Sequence, residues 1–273
     1  MASPNDYHNG IGGTTGATLV SLSPLKASGF VWYVDSVTGS DAASPRGRER
    51  IRPLATLAQA HTNASAGDLI VCLAGHTETL TAAQTFDKAG LHVLGEGAGS
   101  GRAKFTRFGD VNMFDVTAAG VVFDNILFPA SITTTSTKSR LRFAGAGNQC
   151  VNCYFECSTL DDGPSLETIT GAADVLIEET TFISTATSIS DQPDSAIKVT
   201  NAISRLELRT VVMSGGSSGW ANPYAFNGAG AITTLRARNV DLLLDSDITL
   251  ASGTSGSLHI RNATGSARVV WAS

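Results

Sequence analysis

An eight-residue outline returns along the chain and limits the possible folds more than any other feature. Its clearest copy is VVFDNILF, Val121 to Phe128: apolar, any, apolar, any, Asn, any, any, aromatic. Further copies are NQCVNCYF from Asn148, VLIEETTF from Val175, LELRTVVM from Leu206, LRARNVDL from Leu235 and LHIRNATG from Leu258. Two weaker ones lie upstream, LIVCLAGH from Leu69 and LHVLGEGA from Leu91. The steps between starts are 22, 30, 27, 27, 31, 29 and 23 residues, a drifting period of the kind that marks solenoids.

The octet's third position (Val71, Val93, Phe123, Cys150, Ile177, Leu208, Ala237, Ile260) is never charged. Residues two apart on a strand share a side, so each octet predicts a short strand that buries one face. A β-sandwich gives no reason for one motif to return once per ~27 residues, whereas a chain that winds once per period stacks each copy on the last at about 4.8 Å. The fifth position holds Asn125, Asn152, Thr210, Asn239 and Asn262, with Glu179 breaking the row. Asn tolerates left-handed turns, and stacked amides bond from coil to coil. The eighth position holds Phe128, Phe155 and Phe182, then Met213 and Leu242, which predicts a core stack inside the same coils.

NCYF and its relatives resemble the coil ends of right-handed parallel β-helices of the pectate-lyase-like fold. The stretch WYVDSVTGSD, followed by RPLATLAQAHTNASAGDLIVCLAGHTETLT, is similar to the opening of many such proteins, in which a short helix closes the first coil. The stretch GDLIVCLAGHTET is also similar to the GD-x-I-x-V-x-x-GH-x-E-T-type opening of a group of uncharacterised β-helix proteins of tailed bacteriophages. The resemblance covers roughly residues 30 to 265 and implies an all-β solenoid of about eight coils; one such fold hosts many activities.

The expected organisation is a flexible N-terminal arm over 1–29 and a single β-helix domain over 30–273, with a capping helix near 53–65 and coils from about 68. The helix is expected to begin at Pro53 and to turn Leu54, Leu57, Ala58 and His61 to one face. The arm is rich in Gly, Ser and Thr, and its ATLVSL segment (Ala17, Leu19, Leu22) is apolar enough to lie on another surface. Octet positions two and four are expected to face outward. They are apolar early (Ile70, Cys72, Leu94, Val122) and charged late (Glu207, Arg209, Arg236, Arg238, Arg261). The apolar half is expected to be covered by the arm or a neighbouring subunit, and Arg209, Arg238 and Arg261 to form a row.

Net charge of −5 argues against nucleic acid as a partner, and no run of 18 apolar residues is present to span a membrane. The first ten residues lack a basic, apolar secretory pattern. Cys72, Cys150, Cys153 and Cys157 read as buried thiols, since zinc needs four ligands and no His lies near; no cofactor or metal is expected. A lyase of this fold needs acidic residues for Ca²⁺ and a base, and a hydrolase needs facing carboxylates. The candidate pairs Asp161 with Asp162, Asp191 with Asp194, and Asp245 with Asp247 do not recur at one octet position. The histidines (His8, His61, His76, His92, His259) are scattered and read as turn or surface residues rather than catalytic ones, with His61 a packed or capping residue of the helix. The resulting expectation is a non-enzymatic structural protein of a phage virion: a capsid decoration or cement protein on the capsid exterior, assembled in the host bacterial cytoplasm. Its expected partners are itself, as a trimer, and a major capsid protein. The alternatives are a tail-spike or fibre module that binds or cleaves surface polysaccharide, and a bacterial carbohydrate-binding β-helix.

Overall fold

The computed structural model describes residues 29–42, 46–130, 136–158, 161, 163–185, 193–215, 220, 224–243, 247–263 and 269–271. Ala17, Leu19 and Leu22 of the expected arm lie outside these described residues. The chain is an all-β, right-handed parallel β-helix with three strand-bearing faces.

Face one stacks Val31–Val34, Leu69–Cys72, His92–Gly95, Val122–Asp124, Gln149–Val151, Val175–Glu178, Ile203–Arg209, the first part of Ile232–Leu243, and Gly256–Ala263. Face two stacks Thr77–Leu80, Lys104–Arg107, Leu127–Phe128, Tyr154–Cys157, Thr181–Ser184, Val212–Ser214 and the end of Ile232–Leu243. Face three is an eight-stranded sheet: Gln84–Phe86, Phe114–Val116, Leu141–Phe143, Leu166–Thr168, Ile197–Val199, Tyr224–Gly228, Asp247–Leu250 and Val269–Trp271. Neighbouring coils pair in parallel, as when Phe155 sits beside Phe128 on one side and Phe182 on the other.

The core runs the length of the prism. Phe128 and Phe155 stack with centroids 4.4 Å apart, and Phe155 and Phe182 at 4.8 Å. Met213 and then Leu242 continue that line in register. Nearer the N-terminus, Phe86, Phe105, Phe114 and Phe123 pack mostly edge to face. Such rings add their pairwise attraction to the burial of apolar area that holds the fold together.

The corner between faces one and two explains the octet's fifth position. Asn125, Asn152, Glu179, Thr210 and Asn239 each have φ between 49° and 57°, so one left-handed residue turns the chain in five successive coils. Asn125 Nδ2 donates to the Gly95 carbonyl at 2.7 Å and the Gly97 carbonyl at 3.0 Å, and Asn152 Nδ2 donates to Asn125 Oδ1 at 3.2 Å. Arg102 closes the short ladder by donating to Asn152 Oδ1 and to its carbonyl. Asn262 does not belong to this corner: it pairs with Asp241 inside the last strand of face one, beyond two register shifts.

Two octets align differently from the sequence outline. Leu69 pairs with His92, not Leu91, so Ile70 and Cys72 point into the core and Leu69 and Val71 outward. All four residues of LIVC are apolar, and period-two reasoning cannot choose a side when both faces are apolar. Ile70 is therefore a core residue and no part of an outward surface. At the other end Ala237 pairs with Leu258, two residues before the expected match. Arg261 falls among the shifted pairs and does not extend the Arg209–Arg238 register.

The capping helix is shorter than expected, Leu57–Asn63, with Thr56 as its N-cap. Leu54 instead bridges to Val34 in extended backbone, and Ala58 faces solvent while Leu57, Ala60 and His61 are buried. Both helix ends are bound by charge: Glu78 Oε2 accepts from the Leu57 N–H at 2.8 Å, and Lys88 Nζ donates to the carbonyls of His61, Thr62 and Ala64. The plug covers the edge left by the first coil.

Candidate functional site

The distances between faces show where the repeat stores its variation. From face one to face two the step is five residues in five coils: Val122 to Leu127, Gln149 to Tyr154, Leu176 to Thr181, Glu207 to Val212, and Arg236 to Asp241. From face two to face three it runs from seven residues (Thr77 to Gln84) to sixteen (Thr181 to Ile197). In the first two coils the step from face one to face two is longer, eight residues (Leu69 to Thr77) and then twelve (His92 to Lys104), so it is from the third coil onward that the unequal lengths gather at the corner bordering face three.

In four consecutive strands of that face the first and third residues turn inward and the middle residue out: Phe114–Asp115–Val116, Leu141–Arg142–Phe143, Leu166–Glu167–Thr168 and Ile197–Lys198–Val199. The pairings place the middle residues in single file: Thr85, Asp115, Arg142, Glu167, Lys198, Asn227 and Thr249. Four consecutive members alternate in sign. At about 4.8 Å per coil, the file is roughly 29 Å long.

The charges are held in place. Arg142 donates from Nε and Nη2 to the two oxygens of Asp115 at 2.7 and 2.9 Å. Glu167 accepts from Ser139 Oγ and from Thr200 Oγ1, each at 2.6 Å. Lys198 Nζ donates to Asp194 Oδ2 at 2.9 Å. In both ion pairs the cation is the more exposed partner, with Arg142 at 32% against 16% for Asp115, and Lys198 at 30% against 13% for Asp194.

Behind the file, at the corner with face two, lies a buried ionic knot. Asp161 Oδ1 receives Arg107 Nη2 at 2.8 Å, and its Oδ2 forms an ion pair with Arg140 Nη2 at 2.7 Å. Arg140 Nη1 also donates to Cys157 Sγ at 3.0 Å, and Cys157 contacts Ser165 Oγ at 2.8 Å. Burial and the neighbouring Arg140 pull the Arg107 guanidinium down, whereas at Arg140 the opposing effects of Cys157 and Asp161 outweigh burial and raise it. Burial pushes the Cys157 thiol up even with Arg140 alongside, so it stays protonated. Asp161 is thus a counterion that pulls its loop inward, with no solvent path to act as acid or base.

The other expected candidates scatter. Asp162, Asp191 and Asp245 are outside the described residues, Asp194 supports Lys198, and Asp247 begins a strand of face three. His8 is also outside the described residues, and His259 is exposed. His61 is buried in the helix, in keeping with a packed residue, whereas His76 and His92 are buried rather than turn or surface residues; His76 Nδ1 accepts from the Ser36 N–H at 3.0 Å and fastens the first coil. The four cysteines are buried free thiols, and among the described residues no three His, Cys, Asp or Glu side chains converge on a cation position. Leu94 and Val122 face outward on face one, half-buried and buried respectively. Arg209 and Arg238 are exposed neighbours, and Arg209 is paired with Glu207 at 2.8 Å and Glu178 at 3.6 Å. That hydrogen bond from Arg209 is the main reason the Glu207 carboxyl is held below its usual range.

The charge file was present in the sequence as FDV, LRF, LET and IKV, one triplet per coil.

No protein-family model matches the chain, and no curated protein matches it. Among solved structures, a rhamnogalacturonan lyase matches with a TM-score of 0.48 at 13% identity, over 82% of this chain and 71% of that one. The likeness is one of fold. The structure found is named for a lyase and not for a virion component. The reading as a non-enzymatic phage capsid decoration or cement protein, and with it the statement that the chain is no enzyme, is accordingly withdrawn.

Proposed function

We propose that this chain is a carbohydrate-active β-helix that holds a linear polysaccharide along face three. The observation that carries this reading is the file from Thr85 to Thr249: seven polar side chains in register on one face, beside the corner from which the long loops leave. A regular polymer is complementary to a surface that repeats in one dimension, and solenoids present extended surfaces of this kind. Sugar hydroxyls both donate and accept hydrogen bonds, and Asp115, Arg142, Glu167 and Lys198 offer both kinds of group from side chains already fixed by their neighbours, which limits the entropy lost on binding.

The same residues supply what chemistry on a sugar needs. Asp115 and Glu167 lie two strand spacings apart, about 9.6 Å, near the wide end of the separation between paired carboxylates in inverting glycosidases. Arg142 stands between them, where it neutralises a carboxylate on the bound chain. Neutral and acidic oligosaccharides should be titrated against the protein by calorimetry while the mixture is followed for chain cleavage. The double variant Arg142→Ala/Glu167→Gln should lose binding, and any turnover with it. Binding that survives this variant, or no binding to any saccharide, would remove the proposal.

A further inference from the structure

Cys150 and Cys153 stand at the two inward positions that flank the corner between faces one and two, and neither takes part in the site on face three. In neighbouring coils the same two positions hold Phe123 with Ile126, Ile177 with Thr180, Leu208 with Val211, and Ala237 with Val240, all buried. Packing of the corner therefore does not by itself call for sulfur.

Inward side chains on either side of a corner converge, and the contacts show how far these two do. Cys153 Sγ donates at 3.6 Å to the carbonyl of Phe123, the residue in register with Cys150 one coil earlier. Thr180 Oγ1 lies 3.9 Å from Cys150 Sγ and accepts from the Cys153 N–H at 3.4 Å. The two thiols also interact with each other, side chain to side chain. The turn that brings them together is made by Asn152 in the left-handed conformation, with φ at 50°. The other two thiols are out of reach. Cys72 belongs to a coil three strand spacings away, about 14 Å, and Cys157 lies four residues along extended backbone from Cys153, about 13 Å, whereas a disulfide spans at most about 7 Å between Cα atoms.

We propose that Cys150 and Cys153 are a disulfide site: when the chain folds in the presence of a small disulfide oxidant such as glutathione disulfide, they close a bond across this corner and staple face one to face two. One cysteine thiolate attacks the oxidant, forming a mixed disulfide and releasing one glutathione. The second thiolate attacks the protein sulfur of that mixed disulfide and releases the other. Two protons and two electrons leave the cysteine pair, and the S–S bond of the oxidant is reduced to two thiols. In the closed coil, burial and after it the Cys153 thiol push the Cys150 thiol well above its usual range, so the folded dithiol stays protonated and slow to react. The bond therefore forms while the corner is still open to solvent, and burial then shields it from reductants. One fold thus has two covalent states, set by the redox conditions in which it was made.

The test is to unfold the whole chain in denaturant with reductant and refold it by dilution into either glutathione disulfide or reduced glutathione. Thiols are then counted by alkylation in denaturant and mass spectrometry. Of the four cysteines, oxidative refolding should leave two alkylatable, and reductive refolding four. Cys72→Ala should still form the bond, and Cys150→Ala and Cys153→Ala should each abolish it. Circular dichroism checks the fold, and the wild-type count decides the matter if a variant does not fold. The stapled form should have the higher urea midpoint, because its unfolded chain is restricted. Glutathione disulfide added to the folded dithiol should oxidise it at least about tenfold more slowly than refolding does. Four thiols or glutathione adducts after oxidative refolding, a protein disulfide that survives Cys150→Ala, a stapled form no more stable than the dithiol, or equally fast oxidation of the folded chain would overturn the proposal.

Discussion

Glu179 occupies a backbone position that three of the four other coils at this corner assign to Asn, and replacing it gives a quantitative test of the corner. Its φ is 49°, within a few degrees of Asn152 at 50° and Thr210 at 52°. A left-handed conformation costs an ordinary L-residue about 1–2 kcal/mol, much of which Asn avoids. In the Glu179→Asn variant the new amide would sit one coil from Asn152, as Asn152 sits one coil from Asn125, where the Nδ2 to Oδ1 distance is 3.2 Å. Asn152 Oδ1 accepts from Arg102 Nη2 but, as a carbonyl oxygen, has a second lone pair. One additional hydrogen bond is worth about 0.5–1.5 kcal/mol net. Glu179 is exposed, so its removal leaves no cavity. The variant should be more stable by about 1–2 kcal/mol, read as a higher urea midpoint at unchanged slope. Glu179→Gly separates the two contributions: it removes the conformational cost but adds no amide, and its own backbone entropy takes back about 0.5–1 kcal/mol. The expected order of stability is Asn, then Gly, then wild type. A Glu179→Asn variant no more stable than wild type would refute the account of the corner, and Gly equal to Asn would refute the amide ladder.

Other perturbations follow from the same geometry. Asp161→Asn leaves Arg107 and Arg140 buried beside an uncharged partner and should cost about 3–5 kcal/mol in denaturant unfolding. Phe155→Ala removes the middle ring of the stack and should cost about 3–5 kcal/mol. Gly145→Ala should destabilise by about 1–3 kcal/mol or prevent folding, because a Cβ there would lie 1.9 Å from the Ala118 carbonyl oxygen in the coil below. His61 is held below its usual value of 6.5, first by burial and then by Lys88. Its folded state therefore resists protonation, so this contribution is complete above pH 6.5 and is lost as pH falls through that value towards the folded pKa. His61→Gln should flatten the slope of stability against pH in that window.

How far the sequence could be read depended on whether the pattern had one interpretation. In the middle coils, VVFDNILF, NQCVNCYF and VLIEETTF stack in the register their outlines imply, because Asn or Glu at the corner and Phe three residues later fix both a turn and a side. LIVC lacked any such marker: four apolar residues in a row fit either side, and the choice is made by pairing with His92–Gly95. Near the C-terminus, Ile232–Leu243 runs through the corner as one continuous strand, and the slips opposite it moved Asn262 and Arg261 away from their expected neighbours. The site was harder to see. The file's members lie 22 to 31 residues apart and mean little until the coils are superposed. The knot at Asp161 was hidden for a related reason, since Arg107, Arg140 and Asp161 belong to three different coils and meet only inside.

From the third coil onward, the fixed five-residue turn on one edge of the prism and the seven-to-sixteen-residue excursions on another have a consequence for how such a protein can change. Where a loop carries no buried anchor such as Asp161, one of another length can be exchanged at the variable edge without disturbing the stacked rungs, and each doubling of it adds only about 0.6 kcal/mol of closure cost. The molecule is a rigid spine with one editable margin. New recognition can be written along that margin coil by coil while the fold beneath keeps the same geometry.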